Sequence, residues 1–272
     1  MNANQAIGVF DSGIGGLSVV KQLIKALPHE NIVYLGDIAR IPYGTKSVET
    51  IRKFTAQMVE HLLNHKVKAV IIACNTISAN ARDTVTNLVG DDLPVLDVIS
   101  AACDITYNYN KVGVIATPAT INSKAYENKL LELNPNIKVY SQACTLFVPM
   151  IEEGFINHPA LELIANEYLA PLTKVELDAL ILGCTHYPLI ESTIAKIMGN
   201  KVQIIDPALP IVNNLTQMLS ASNLINNSSH NGKYEFYVTD IPNKFKLIGE
   251  EFLKQEMTNI NLVNLESQIV YN

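Results

Sequence analysis

The chain has 272 residues, 48% of them hydrophobic and 17% charged, with 26 acidic against 20 basic side chains and a net charge of -6. This is the composition of an ordinary globular protein with apolar material for one large core or two medium ones, and its mild acidity, without a basic stripe, argues against nucleic acid as a partner. The opening MNANQAIGVFDSG carries neither a basic nor a long apolar segment, and no later apolar run reaches membrane-spanning length; a cytoplasmic protein acting on small molecules, with its four cysteines reduced, is expected.

In chain order, AIGVF (6–10) reads as a strand and runs into FDSGIGGLSVV (10–20), which places an acid, a hydroxyl and three glycines at a strand-to-helix turn. The glycines permit positive φ and a close approach of ligand oxygens to backbone N–H groups, and the stretch reads equally well as a tight turn with Asp11 or Ser12 capping the helix. It is no dinucleotide fingerprint, because Ser18 stands where the third glycine of GxGxxG belongs. NIVYLG (31–36) is a second strand, ending at Asp37 and a Pro-Tyr-Gly turn that by itself passes for a loop. A helix is predicted over 51–65, with His61 and His65 one turn apart; lacking the glutamate of HExxH, the pair reads as a solvated face.

AVIIA (69–73) leads into Cys74, Asn75 and Thr76, and VLDVI (95–99) is a further strand. The scheme then repeats in VGVIA (112–116), IKVYS (137–141), a helix over 159–172, ALILG (179–183) leading into Cys184, Thr185 and His186, and VQIID (202–206). Near-continuous Val- and Ile-rich runs alternating with helical patterns indicate parallel α/β sheets covered on both faces. The spacing between Cys74 and Cys184 nearly equals that between Ile7 and Val112, so two similar α/β domains are expected. After Asp206 come a helical pattern (209–222), a turn or mobile loop (226–232), a strand-like YEFYVT (234–239) and a helix-like segment (245–255). This tail is expected to complete the first domain, giving 1–97 plus 208–272 as one unit and 98–207 as the other.

In open α/β sheets ligands bind beyond the carboxyl ends of the strands, where both Cys74 and Cys184 fall. A helix start there would lower a thiol pKa and hold a carboxylate, although a lone cysteine after a buried strand is as readily a small core residue. The polar neighbours Asn75, Thr76, Thr185 and His186 favour binding. Cys103 and Cys144, in ISAACDITY and YSQACTLFV, lack such neighbours and read as packing residues. No cluster of His, Asp or Glu suggests a metal.

Taken together, DSGIGG, PYG, ACNT and GCTHYP, with VGVIATPATINSKAY (112–126), FVPMIEEG (147–154) and FYVTD (236–240), resemble the glutamate racemases of the aspartate/glutamate racemase superfamily. The resemblance runs from Ile7 to about Asp240. It implies two α/β domains with the active site in the cleft between them, and a cofactor-free isomerase, commonly a homodimer, that makes D-glutamate for peptidoglycan. It implies Cys74 and Cys184 as the two bases, with Asp11 assisting Cys74 and His186 assisting Cys184; Cys74 would address D-glutamate and Cys184 L-glutamate. Asp37 and Glu152 match further acidic positions that line the site. Ser12, Tyr43, Gly44, Asn75, Thr76, Thr117, Thr120 and Thr185 would bind the substrate together with Asp11 and His186. The stretch before Ile7 lacks the extension by which some relatives take up an activator.

The chemistry of racemisation fits this pattern independently. Without a cofactor, inversion at the α-carbon requires a base on one face and an acid on the other, and paired thiols supply both. Rival readings are an aspartate or hydantoin racemase, a two-domain solute-binding protein, which needs no paired thiols, and a thiol oxidoreductase, for which Asn, Thr and His are poorly suited.

Overall fold

The structure is a computed structural model and describes residues 1–266. Among the described residues the strands are β1 (Ile7–Asp11), β2 (Ile32–Gly36), β3 (Ala69–Ile72), β4 (Val95–Asp97), β5 (Lys111–Ala116), β6 (Lys138–Ala143), β7 (Ala179–Gly183), β8 (Gln203–Ile205), β9 (Tyr234–Val238) and β10 (Ile260–Leu262). They form a six-stranded sheet in the order β10-β9-β2-β1-β3-β4 and a four-stranded sheet in the order β6-β5-β7-β8, parallel throughout. The helices are α1 (Leu17–Ala26), α2 (Val48–Asn64), α3 (Asn75–Val89), α4 (Val98–Thr106), α5 (Pro118–Asn122), α6 (Ala125–Leu133), α7 (Phe147–Glu152), α8 (Pro159–Thr173), α9 (Glu191–Met198), α10 (Ala208–Ala221) and α11 (Pro242–Leu253). None is long and apolar enough to cross a membrane.

Each sheet is covered on both faces, which is why its strands read as unbroken apolar runs. On β1, Ile7 and Val9 point into a core shared with α1 and α10, while Phe10 faces the core made with α2 and α3; the alternation is the period-two geometry of a strand. In the second sheet, Leu180 and Leu182 face α7 and α8, and Ile181 faces α4 and α6. Helix α4 belongs to both halves: Val98 and Ala101 enter the core of the first sheet, Ile99, Ala102 and Cys103 that of the second.

Four local expectations are revised. The strand read over 95–99 stops at Asp97, because the Asp97 carboxylate accepts from Ser100 N at 2.9 Å and starts α4. His61 is not on a solvated face: it is buried, its ring 4.9 Å from those of His65 and Tyr237. The polar 226–232 loop is irregular but tied down, since Asn226 N donates to Glu30 Oε1 and Gly232 N to Pro28 O. Positive φ occurs at Gly90, Gly154 and Gly199, and at none of the glycines of DSGIGG.

Gly15 instead permits a close approach between the halves. A Cβ there would fall 2.2 Å from Thr185 Oγ1 and 2.7 Å from His186 Nδ1. Gly44 does the same on the other side of the cleft, where a Cβ would meet Thr117 Cβ at 2.5 Å. Only hydrogen fits at either place.

Candidate active site

The carboxyl ends of β1 and β3 in the first sheet and of β5 and β7 in the second converge on one cavity of about 150 Å³. This is below the range of about 300–1,000 Å³ typical of drug-sized ligands and suits a small metabolite. Cys74 and Cys184 both line it. Each is nearly buried, at 4% and 7% exposure.

Cys74 occupies the N-cap position of α3, with no capping hydrogen bond from its side chain. Its Sγ lies 3.2 Å from Ser12 Oγ. Burial pushes its thiol up to about 12, the nearby Asp11 carboxylate adds to the rise, and hydrogen bonds from Ser12 and the Ile77 backbone act against it. At neutral pH Cys74 therefore carries its proton. Cys184 heads a 3₁₀ turn over Tyr187–Ile190 rather than an α-helix; α9 begins only at Glu191. Its charged helper is local: His186 Nδ1 stands 3.8 Å from Cys184 Sγ, and His186 Nε2 meets Glu152 Oε1 at 3.0 Å. Burial pulls the imidazole down, but the hydrogen bonds and charges of Cys184 and Glu152 outweigh it and raise His186 to about 10. The imidazolium offers positive charge to whatever negative charge Cys184 acquires.

Asp11 is fully buried beneath the cavity rather than in its wall, accepting from Gly13 N at 2.9 Å and from Thr185 Oγ1 at 3.4 Å. Burial raises its carboxyl, while His186 and the Gly13 and Gly16 N–H groups oppose the rise. Ser12, Tyr43, Gly44, Asn75, Thr76, Thr117, Glu152, Thr185 and His186 line the cavity. Thr120 stands one step back, bonded to Thr76 and Thr117 at 3.4 and 3.1 Å. Asp37 departs from the expectation that it lines the site. It is fully buried and accepts from the Tyr43 hydroxyl, from Arg40 Nε at 2.7 Å and from Thr239 Oγ1 at 2.9 Å, so it braces the cavity wall from behind.

The sequence reading missed the rim: Ile41, Pro42 and Thr45 on one side, Pro118, Thr145, Leu146, Val148 and Pro149 on the other. Most of these side chains carry no chemical signature; PYG, VGVIATPATINSKAY and FVPMIEEG marked parts of this rim, through Pro42, Pro118, Val148 and Pro149, without pointing to the rest. Cys103 and Cys144 are buried packing residues in the second half, as expected. Among the described residues no group of three His, Cys, Asp or Glu side chains could hold a metal ion.

The Asp/Glu/Hydantoin racemase family matches residues 7–215. The chain belongs to that family. It is 48% identical to a glutamate racemase of Neisseria meningitidis serogroup A over 95% of this chain and 96% of that protein, and 45% identical to one from Syntrophus aciditrophicus over the same shares. The crystal structure of a Francisella tularensis glutamate racemase in complex with D-glutamate superposes with a TM-score of 0.93 and 54% identity, covering 97% of this chain and 99% of that one. The fold is thus the two-sheet racemase fold, with Cys74 and Cys184 both lining the cleft between the sheets.

Proposed function

We propose that this protein is a glutamate racemase, an isomerase that interconverts L- and D-glutamate without a cofactor and supplies D-glutamate for peptidoglycan. The observation that carries the reading is the joint presence of Cys74 and Cys184, one from each half, in a single small cavity lined by Ser, Thr and Asn side chains. One thiolate removes the α-proton from one face, leaving a carbanion, and the other thiol delivers a proton to the opposite face; reversal exchanges the roles. Cys74, held protonated by burial, is the donor in the resting state, and the His186 imidazolium 3.8 Å from Cys184 balances the charge of the accepting sulfur. Asp11 and Glu152 act through Cys74 and His186, while the Ser, Thr and Asn groups of the wall bind carboxylates and ammonium.

Glutamate is favoured over aspartate and hydantoin because the relatives of 43–48% identity, spanning 95% or more of this chain, are glutamate racemases. The same reading takes residues 1–97 with 208–272 as one lobe and 98–207 as the other, a homodimer as the assembly, and the cytoplasm as the compartment. Incubating pure protein with L-glutamate in D2O, with no cofactor added, tests it: optical rotation should decay to zero while α-deuterium appears. Retained rotation, or decay only with aspartate, would overturn it.

A further inference from the structure

Tyr126, on α6 of the second half, and Asn75, at the start of α3 in the first, are each 3% exposed. The Tyr126 hydroxyl donates to Asn75 Oδ1 at 2.6 Å. The other end of the same amide, Nδ2, is buried and has no hydrogen-bond partner among the described residues. Asn75 also lines the cavity that holds Cys74 and Cys184. A buried donor without an acceptor is costly, and natural structures retain one chiefly where a ligand or a function answers it.

The direction of the bond matters, because an asparagine amide presents an acceptor at one end and donors at the other. Burial above all, with the Asp97 and Asp206 carboxyl groups adding to it, holds the Tyr126 hydroxyl in its protonated form. A buried O–H must donate, and Asn75 Oδ1 is the acceptor beside it. The amide oxygen is therefore committed, and the amide NH2 is the end left without a partner.

We propose that Tyr126 is a positioning residue that fixes the orientation of the Asn75 amide across the two halves, keeping its NH2 as the donor to a substrate carboxylate. An inverted amide would present an oxygen to that carboxylate and repel it. The inference rests on the racemase reading and deepens it, since it assigns part of the cavity's anion selectivity to a residue outside the cavity wall.

The test is a double-mutant cycle on the full chain, with KM and kcat measured for both enantiomers of glutamate in wild type, Tyr126→Phe, Asn75→Ala and the double variant, and melting followed for each. Tyr126→Phe should raise KM roughly tenfold for both enantiomers, the range of a lost hydrogen bond to a charged group, with kcat changed less than twofold. In the Asn75→Ala background it should raise KM no further. An unchanged KM, a loss in kcat alone, or KM effects that multiply in the double variant would each overturn the proposal. Asn75→Asp provides a second arm with Tyr126 intact: it keeps the acceptor and replaces the NH2 with an oxygen, so its KM should exceed that of Asn75→Ala, and a KM equal or lower overturns the assignment. If wild type does not racemise glutamate, the racemase reading fails on its own, and dissociation constants for glutamate from calorimetry decide the Tyr126 question in the same variants.

Discussion

The Thr185 hydroxyl donates to Asp11 Oδ1 across 3.4 Å, joining the turn that carries Cys184 to the strand end beside Cys74. One buried carboxyl group thus stands under both cysteines. Burial raises the Asp11 carboxyl above 3.8, so its protonated form favours the fold: that stabilisation is complete below 3.8 and is lost as pH rises through the folded value.

Asp11→Asn removes the ionisable group and keeps the shape. At pH 7 the variant should melt no lower than wild type, while kcat falls by about 10²-fold, the order expected when a proton-transfer helper is removed. Calorimetry and polarimetry at saturating L-glutamate check the two halves of this statement. A lower melting temperature with kcat intact would make Asp11 a structural residue only.

His186, raised from 6.5 to about 10, should remain an imidazolium through neutral pH. Its contribution to stability is fully present below 6.5 and lost as pH rises through about 10. Activity should follow the same charge, holding above neutrality and falling near pH 10. Glu152→Gln takes away the carboxylate that meets Nε2 and should move this alkaline limb to lower pH by about one unit. A pH profile of kcat for both proteins decides it; coincident limbs would show that Glu152 does not act through His186.

Removing either sulfur should stop net racemisation without stopping proton removal. Cys74→Ala is expected to incorporate solvent deuterium only into L-glutamate and Cys184→Ala only into D-glutamate, as followed by NMR in D2O. Near wild-type racemisation by either variant would defeat two-thiol catalysis.

Gly15→Ala should be more damaging than its size suggests. The added methyl has 2.2 Å to Thr185 Oγ1 and 2.7 Å to His186 Nδ1, so these side chains of the site must shift, and a misplacement of about 1 Å costs about 10²-fold in rate. Gly90→Ala, where nothing lies within 4 Å of the added Cβ but φ is +73°, is the control: it should lower the melting temperature and leave kcat unchanged.

The alternation of strands and helices and the two cysteine turns were legible because parallel strands buried on both faces leave unbroken Val and Ile runs, and because Cys74 and Cys184 sit at their carboxyl ends. What escaped the sequence depended on partners far away in the chain. Asp37 has an acidic residue's look of catalysis, yet Thr239, some 200 positions on, turns it into a brace. His61 reads as solvated until Tyr237 covers it. β10 went unread because three residues in a polar segment become a strand only by pairing with β9. The bond from Tyr126 to Asn75 had no signal, since neither residue announces the other.

Helix α4 lends Val98 and Ala101 to one core and Ile99, Ala102 and Cys103 to the other. Two cores that share a helix in this way should behave as a single cooperative unit, since melting either would strip cover from the other. Heating should therefore yield one calorimetric transition with equal calorimetric and van't Hoff enthalpies, and a cavity cut into one lobe should loosen the other by the same free energy. The chain is written as a repeat, but it should fold and fail as one body.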